Sequence, residues 1–237
     1  MGVNVLWHDI ECGAYRADLP LWRRLAAGTT GPILDVGAGT GRVALDLAQA
    51  GHAVVALDRE RELLRALRAR AGPLPVRTVT ADARTFSLGR RFGLILVPMQ
   101  TVQLLGGPEG RAAFLGRARG HLAPGGLLAC ALVGKLVAFE PADYLPLPDL
   151  REVDGTVYAS RPVAIRHQNG RMVLERLRET VTPAGQRTVE RDVVHLDLLA
   201  PRQLVAEAAP HGLAPERTRR IPATDEHVAS QVVLLRG

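Results

Sequence analysis

Three glycines follow a short apolar run and precede a helical pattern. The run ILDV (33–36) is followed by Gly37, Gly39 and Gly41, and then by a stretch with apolar residues at helical spacing. Glycine tolerates positive φ and lets a ligand approach the backbone closely. The first turn of a helix also presents unpaired N–H groups at its positive end. We therefore expect residues 37–41 to form a strand-to-helix turn that binds a carboxylate or a phosphate.

Two aspartates follow the next two predicted strands. Asp58 ends AVVALD (53–58), and Asp82 ends VRTVTAD (76–82). The two oxygens of a carboxylate match the paired hydroxyls of a ribose, and hydrogen bonds to charged groups are worth about 1.5–3 kcal/mol. One interpretation is a GxGxxA dinucleotide fingerprint from Gly39 to Ala44, with Asp58 on the ribose. Taken singly, each aspartate also suits a helix cap or a turn.

The elements that must position these residues are predicted as strands alternating with helices. The predicted strands are ILDV (33–36), AVVALD (53–58), VRTVTAD (76–82), FGLILVPM (92–99) and LLACALVG (127–134). Near-continuous apolar runs are typical of a parallel sheet covered on both faces. The alternation predicts an α/β fold with a doubly wound, mostly parallel sheet and right-handed crossovers. Before it, residues 13–27 are expected to form helical turns interrupted near Pro20.

The pattern changes after residue 134. Residues 156–197 are predicted as three antiparallel strands, because Asn169-Gly170 is a strong hairpin signal and Pro183-Ala184-Gly185 suits a second turn. A helix over 200–212 and two closing strands, LAPERTRRI and HVASQVVLLRG, follow. We therefore expect an N-terminal helical cap (1–30), an α/β domain (31–134 and 198–237) and an inserted β unit (135–197) that serves as a lid or a dimerisation flap.

The unit Asp35-x-Gly37-x-Gly39-x-Gly41 resembles motif I of the class I S-adenosylmethionine-dependent methyltransferases. The resemblance covers most of the chain, since Asp58, Asp82 and Pro98 follow Asp35 in order at intervals of 23, 24 and 16 residues. It implies a seven-stranded Rossmann-like sheet with an antiparallel last strand. It also implies S-adenosyl-L-methionine as cofactor and S-adenosyl-L-homocysteine as product.

The resemblance assigns roles to individual residues. It places Asp35 near the methionyl ammonium, Asp58 on both ribose hydroxyls and Asp82 on the adenine amino group. The Ala83 backbone N–H would face the adenine ring, and Tyr15 would bind the methionyl carboxylate. The implied cofactor site comprises Tyr15, Asp35, Gly37, Ala38, Gly39, Gly41, Asp58, Arg59, Asp82, Ala83, Pro98 and Met99.

Methyl transfer from this cofactor to an O or N atom is an in-line displacement, for which the protein mainly aims the acceptor and excludes water. A general base is needed only if the acceptor starts protonated. No catalytic residue is therefore assigned, and the candidates are Gln100, Gln103 and His195. The candidates on the substrate side are Trp7, His8, Glu11, Gln100, Gln103 and Tyr158. For His195 a surface role, and for Gln103 a purely helical role, remain open.

An inserted β unit after the fifth strand resembles that of small-molecule methyltransferases, so a small-molecule acceptor is predicted. The alternatives are an RNA or protein methyltransferase and a catalytically silent cofactor-binding protein. If the dinucleotide interpretation is right, the protein is a nicotinamide oxidoreductase. The fourth strand ends in LVPMQ rather than the NPPY or DPPY of the members that methylate adenine and cytosine amino groups. We therefore expect no nucleic acid partner, and a homodimer through the inserted unit is a further expectation.

The composition narrows the classes of protein to which this chain can belong. The 237 residues carry a net charge of +6, but only Lys135 among the 30 basic residues is a lysine, and the arginines are spread along the chain. With only 4% aromatic residues, neither a nucleic acid groove nor a base-stacking platform is indicated. Two distant cysteines and no HxxxH spacing argue against a metal site, and free thiols suit a reducing cytoplasm. No apolar run is long enough to span a membrane.

Overall fold

The structure is a computed structural model that describes residues 2–143, 145–225 and 227–237. Its helices are α1 (Val3–Cys12), α2 (Leu19–Ala27), α3 (Arg42–Gln49), α4 (Arg61–Ala71), α5 (Gly107–His121) and α6 (Pro201–Ala208). Its strands are β1 (Ile33–Val36), β2 (Val54–Asp58), β3 (Val76–Thr80), β4 (Phe92–Val97), β5 (Leu122–Val133), β6 (Asp149–Val153), β7 (Thr156–Gln168), β8 (Arg171–Val181), β9 (Arg187–Asp197), β10 (Ala214–Pro215), β11 (Arg219–Ile221) and β12 (Ser230–Arg236).

The predicted doubly wound sheet is confirmed. Its strand order is β10-β12-β5-β4-β1-β2-β3. Strands β1 to β5 pair in parallel, and β12 pairs antiparallel with β5. Because parallel strands share a direction, the carboxyl ends of β1, β2, β3 and β4 meet at one edge, where ligands bind in such sheets.

The last part of the sheet differs in detail from the sequence prediction. The stretch LAPERTRRI forms two short strands, β10 and β11, and both pair antiparallel with β12. The sheet therefore contains eight strands rather than seven. The apolar pattern of β12 predicted a strand from the sequence. The largely exposed, arginine-rich β11 has little hydrophobic pattern from which a separate strand could be predicted.

Both faces of this sheet are buried, as continuous apolar strands require. The core on one face includes residues of α2, α3 and α4, among them the fully buried Trp22. The core on the other face includes residues of α5 and α6, among them Phe114 and Leu204. Pro20 lies in the first turn of α2 and does not interrupt it, because a proline there removes an N–H that has no intrahelical partner.

The inserted sheet has four antiparallel strands in the order β6-β7-β8-β9. The predicted Asn169-Gly170 hairpin is confirmed, with φ of 50° and 73° at its two central residues. Strand β6 was missed, although Asp154-Gly155 connects it to β7 with φ of 49° and 75°. Asp-Gly is the same kind of hairpin signal, and three charged residues in DLREV obscured the strand beside it.

The chain divides into two compact units. The first unit comprises Met1–Val5, Tyr15–Gly134 and Leu199–Gly237, and the second comprises Leu6–Ala14 and Lys135–Leu198. The N-terminal region predicted as one cap over residues 1–30 is thus shared between the units. Among the described residues, no helix combines the length and apolarity needed to cross a membrane.

Candidate functional site

The glycine turn between β1 and α3 has the backbone that only glycine adopts readily. Gly37, Gly39 and Gly41 have φ of 73°, 54° and 98°. The N–H groups of Gly37 and Ala38 donate to the Leu57 carbonyl at 2.8 and 3.0 Å, which fixes the turn to the end of β2. The strand-to-helix turn expected from the sequence is therefore present.

Packing explains two of the three glycines in addition to φ. A Cβ at Gly37 would lie 2.6 Å from the Thr101 side chain, and one at Gly41 would lie 2.7 Å from the Leu67 side chain. The sequence pattern suggested ligand approach as the reason for these glycines. The structure adds a requirement from the protein itself, because Thr101 and Leu67 occupy the space of those side chains.

Asp58 connects the glycine turn to the next helix. Its Oδ2 accepts the Gly39 N–H at 2.8 Å, and its Oδ1 accepts the Glu60 N–H at 2.9 Å. A carboxylate oxygen has two acceptor directions, so each oxygen keeps one for a further donor. This half-occupied carboxylate, partly buried at the end of β2, suits a ligand with two adjacent hydroxyl groups.

Asp35 is the least satisfied polar group of the site. It is 1% exposed, and neither carboxylate oxygen is at hydrogen-bonding geometry with a described residue. Burial raises the pKa of Asp35 to about 7, and the negative charges of Asp58 and Asp18 add to the rise. Arg42 and the Ala44 amide act in the opposite direction. A buried polar group without a partner is costly, so this position favours a ligand that supplies a donor or a positive charge.

Tyr15 is part of the first unit and lies next to a buried ion pair. The centroid of its ring is 4.7 Å from that of the His227 ring. The Arg42 guanidinium lies over the Tyr15 ring, 5.1 Å from the ring centroid. The Tyr15 carbonyl accepts from Arg42 at 3.0 Å. Burial raises the pKa of the Tyr15 hydroxyl, so Tyr15 is a neutral donor at ordinary pH. The buried pair itself joins Arg42 to Asp18, a residue that sequence analysis did not single out.

Asp82 has a partner that was not anticipated. Its Oδ1 accepts the backbone N–H of Arg84 at 2.7 Å, and its Oδ2 accepts from the Arg84 guanidinium at 2.6 Å. These hydrogen bonds lower the pKa of Asp82 to about 2. Asp82 is therefore ionised at neutral pH. Ala83 is half-buried beside it, whereas the Arg59 side chain is 76% exposed and contacts Glu60.

The end of β4 carries a strained backbone. Pro98 is buried, and Met99 has φ of 54°, which is uncommon for a residue other than glycine. Gln100 is half-buried and precedes a 3-10 turn at Thr101–Leu104. Pro98 and Met99 thus lie at the carboxyl edge of the sheet, next to the strand that ends in the glycine turn.

Gln103 has a structural task. It is 1% exposed, its side-chain N–H donates to the Val133 carbonyl at 3.2 Å, and its side-chain oxygen accepts the Val133 N–H at 2.9 Å. Both functional groups of the amide therefore hold the last residue of β5. Gln103 positions the backbone, and its pairing with a residue thirty positions away left no signal in the sequence.

The other candidates on the substrate side lie in the second unit. Trp7 meets Tyr158 edge to face at 5.5 Å, and Glu11 accepts from Arg178 at 2.8 and 2.9 Å and from Ser160 at 2.7 Å. Burial raises the pKa of Glu11, but these hydrogen bonds and Arg176 outweigh it, so the net direction is downward. The same unit contains His8, half-buried on α1, and His195, exposed on β9.

We predict an unusual pH dependence of stability from Asp35. Because its pKa is raised to about 7 in the folded chain, its contribution to stability is present at low pH and is lost as pH rises through about 7. Asp35→Asn does not titrate. Between about pH 5 and about pH 8, the free energy of unfolding should therefore shift in favour of Asp35→Asn by about 3 kcal/mol relative to wild type. Urea unfolding of the ligand-free proteins measures this shift, and a constant difference across that range would contradict the assignment.

Comparison with known proteins locates a domain within the first unit. Residues 33–126 match the family described as "Methyltransferase domain". A curated relative, the cypemycin N-terminal methyltransferase of a Streptomyces species, is 34% identical over 94 residues. That match spans 40% of this chain and 38% of the relative's own length.

Solved structures resemble the chain over its whole length. CalS10 of Micromonospora echinaspora, an amino pentose methyltransferase with bound S-adenosylmethionine, has a TM-score of 0.76 at 22% identity, with 100% of this chain and 98% of that one covered. The sugar N-methyltransferase KedS8 of Streptoalloteichus sp. ATCC 53650 also has a TM-score of 0.76, at 18% identity over 100% and 94% of the two chains. Residues 33–126 therefore match a methyltransferase domain in sequence, and the chain as a whole shares the fold of these solved methyltransferases.

Proposed function

We propose that this protein is an S-adenosylmethionine-dependent methyltransferase that moves a methyl group to a nitrogen or oxygen atom of a small molecule by in-line displacement. The observation that carries the proposal is the buried Asp35 carboxylate without a hydrogen-bond partner, beside the glycine turn. A group of opposite charge is what this position lacks, and the methionyl ammonium of the cofactor supplies it.

The other residues of the first unit fit the remaining parts of the cofactor. Asp58 has one acceptor direction left on each oxygen, which suits the two ribose hydroxyls. Asp82 is ionised, and the exposed Arg84 guanidinium that now binds both of its oxygens would move aside for an adenine amino group. The positive φ of Gly37 and Gly39 shapes the turn that would face the methionyl part, and Tyr15 is a neutral donor for a carboxylate. Pro98 and Met99 would border the sulfonium.

When bound, the cofactor supplies an electrophilic methyl group on a positively charged sulfur. The chain would contribute binding and orientation. Asp35 would hold the methionyl end of the cofactor, Asp58 the central ribose and Asp82 the adenine end, while Met99 would lie at the end of β4 beside the sulfur. Proximity of this kind can account for several kcal/mol of a reaction barrier. None of these tasks requires a residue that exchanges a proton, and a general base is needed only for an acceptor that starts protonated.

The acceptors of the similar proteins favour a nitrogen atom over an oxygen atom as the methyl acceptor. KedS8 is a sugar N-methyltransferase, CalS10 acts on an amino pentose, and the cypemycin enzyme methylates an N-terminus. We infer that the methyl acceptor is an amine on a small molecule such as an amino sugar. The cypemycin relative keeps a peptide amine as the second candidate. Neither Cys12 nor Cys130 forms a disulfide with another described residue, which suits a reducing cytoplasm as the proposed location.

The outer face of the inserted sheet supports a homodimer. The strand registers place Leu150, Val157, Val189 and Val193 on one face, opposite the face of Tyr158 that contacts Trp7. These four side chains are 37–65% exposed. We infer that a second copy of the chain covers them, since an apolar face with interspersed arginines and glutamates suits a self-complementary contact.

The dimer is tested by Val189→Glu combined with Val193→Glu. Each substitution would introduce a charge into an apolar contact, so the pair should convert a dimer into a monomer in sedimentation equilibrium. Val137→Glu is the control, because Val137 is 86% exposed and lies outside the four-stranded sheet. A wild-type chain that sediments as a monomer, or a double variant that remains a dimer, would contradict this inference.

The cofactor site is tested by calorimetry with S-adenosylhomocysteine. Wild type should bind it, and Asp58→Asn should weaken binding by about tenfold or more, because one charged acceptor of the ribose is lost. Glu60→Gln is the matched control, since its exposed side chain contacts only the exposed Arg59. Equal affinities of Asp58→Asn and wild type would refute the ribose assignment. Binding of NADH in place of S-adenosylhomocysteine would favour an oxidoreductase, and a lack of turnover with every amine tried would favour a silent binding protein.

A further inference from the structure

Arg42 is the positive charge that acts on Asp35. Asp35 precedes the glycine turn by two residues, and Arg42 is the first residue of the helix that follows it. Arg42 is itself buried, with 8% of its side chain exposed. Its charge opposes the rise in the pKa of Asp35. A buried guanidinium whose charge acts on an unpaired carboxylate would be expected to pair with it if no other carboxylate held it, since charges attract strongly away from water.

Arg42 does not pair with Asp35, because Asp18 holds it. Its two terminal nitrogens meet the two oxygens of Asp18 at 2.5 and 2.8 Å, in the bidentate arrangement that arginine prefers. The Trp22 indole N–H also donates to Asp18 at 2.8 Å, which fixes the carboxylate. Asp18 is 1% exposed, so water does not compete for it.

The charges around Asp35 come from three elements. Arg42 faces it from α3, Asp58 from β2, and Asp18 from the start of α2. Because Asp18 neutralises Arg42, Asp35 and Asp58 are the two charges that remain. The cluster thus carries an excess of negative charge beside the glycine turn, which is complementary to a cationic ligand.

We propose that Asp18 is a positioning residue of the cofactor site, which holds the Arg42 guanidinium away from Asp35 and so keeps the Asp35 carboxylate open to the methionyl ammonium. The inference rests on the proposed function, since it requires a ligand with an ammonium group at Asp35. Without Asp18, Arg42 turns to Asp35 and closes the position that the ligand needs.

The test compares two ion pairs that join the same two helical segments. Asp18→Asn releases the buried Arg42, whereas Asp46→Asn releases Arg23, whose pair with Asp46 lies on the surface with 55% of the arginine side chain exposed. S-adenosylhomocysteine retains the ammonium and serves as the probe. In calorimetry at about pH 8, Asp18→Asn should weaken binding by about tenfold or more, and Asp46→Asn should leave it unchanged.

A second substitution separates this role from a general loss of structure. Removing the released guanidinium should reopen Asp35, so Asp18→Asn combined with Arg42→Gln should recover most of the lost affinity. If Asp18→Asn does not fold, Asp18→Ser replaces it, because serine removes the charge and keeps an acceptor for Trp22.

The outcomes are distinct. Unchanged affinity in Asp18→Asn overturns the inference, and so does a loss that the double variant does not recover, since Asp18 would then act only through stability. A wild-type chain that does not bind S-adenosylhomocysteine overturns the proposed function, and this inference falls with it. A selective loss in Asp18→Asn followed by recovery in the double variant supports it.

Discussion

The site depends on one buried carboxylate that the protein leaves without a partner. Asp35 lies within β1, in the centre of a parallel sheet covered on both faces, where an unpaired polar group is expensive. The surrounding elements leave the Asp35 carboxylate without a hydrogen-bond partner among the described residues. Arg42 is held by Asp18, and the glycine turn is fixed to β2 through Leu57 and Asp58. The proposed function accounts for this cost, since a ligand with a positively charged group at Asp35 would remove it.

Arginine pairs with carboxylates among the candidate site residues of both units. Arg42 holds Asp18, and Arg84 holds Asp82, in the first unit. In the second unit Arg178 and Arg176 surround Glu11. The guanidinium forms two hydrogen bonds at fixed geometry, so each pair orients a carboxylate as well as balancing its charge. The arginine-rich composition therefore has a structural use at these positions.

The sequence predicted what depends on local pattern and on strand order. Apolar runs located β1, β2, β3, β4 and β5, and the Asn169-Gly170 turn located the β7–β8 hairpin, because hydrophobic burial and turn geometry act over short segments. The same information marked Asp35, Asp58 and Asp82 at the ends of three strands. It could not show that Gln103 would bind the Val133 backbone or that Asp18 would hold Arg42, because these pairs join residues 30 and 24 positions apart. Their geometry exists only once the helices have packed on the sheet.

The central claim is that the ammonium of the cofactor pairs with Asp35, and proton release on binding tests it most directly. At about pH 7, Asp35 with a pKa of about 7 is half protonated, and an adjacent positive charge must lower that pKa. Calorimetric titration of wild type with S-adenosylhomocysteine, in buffers of different ionisation enthalpy, should therefore show release of about half a proton per molecule bound, and Asp35→Asn should show none. Binding to wild type without proton release, or the same release from Asp35→Asn, would contradict the account.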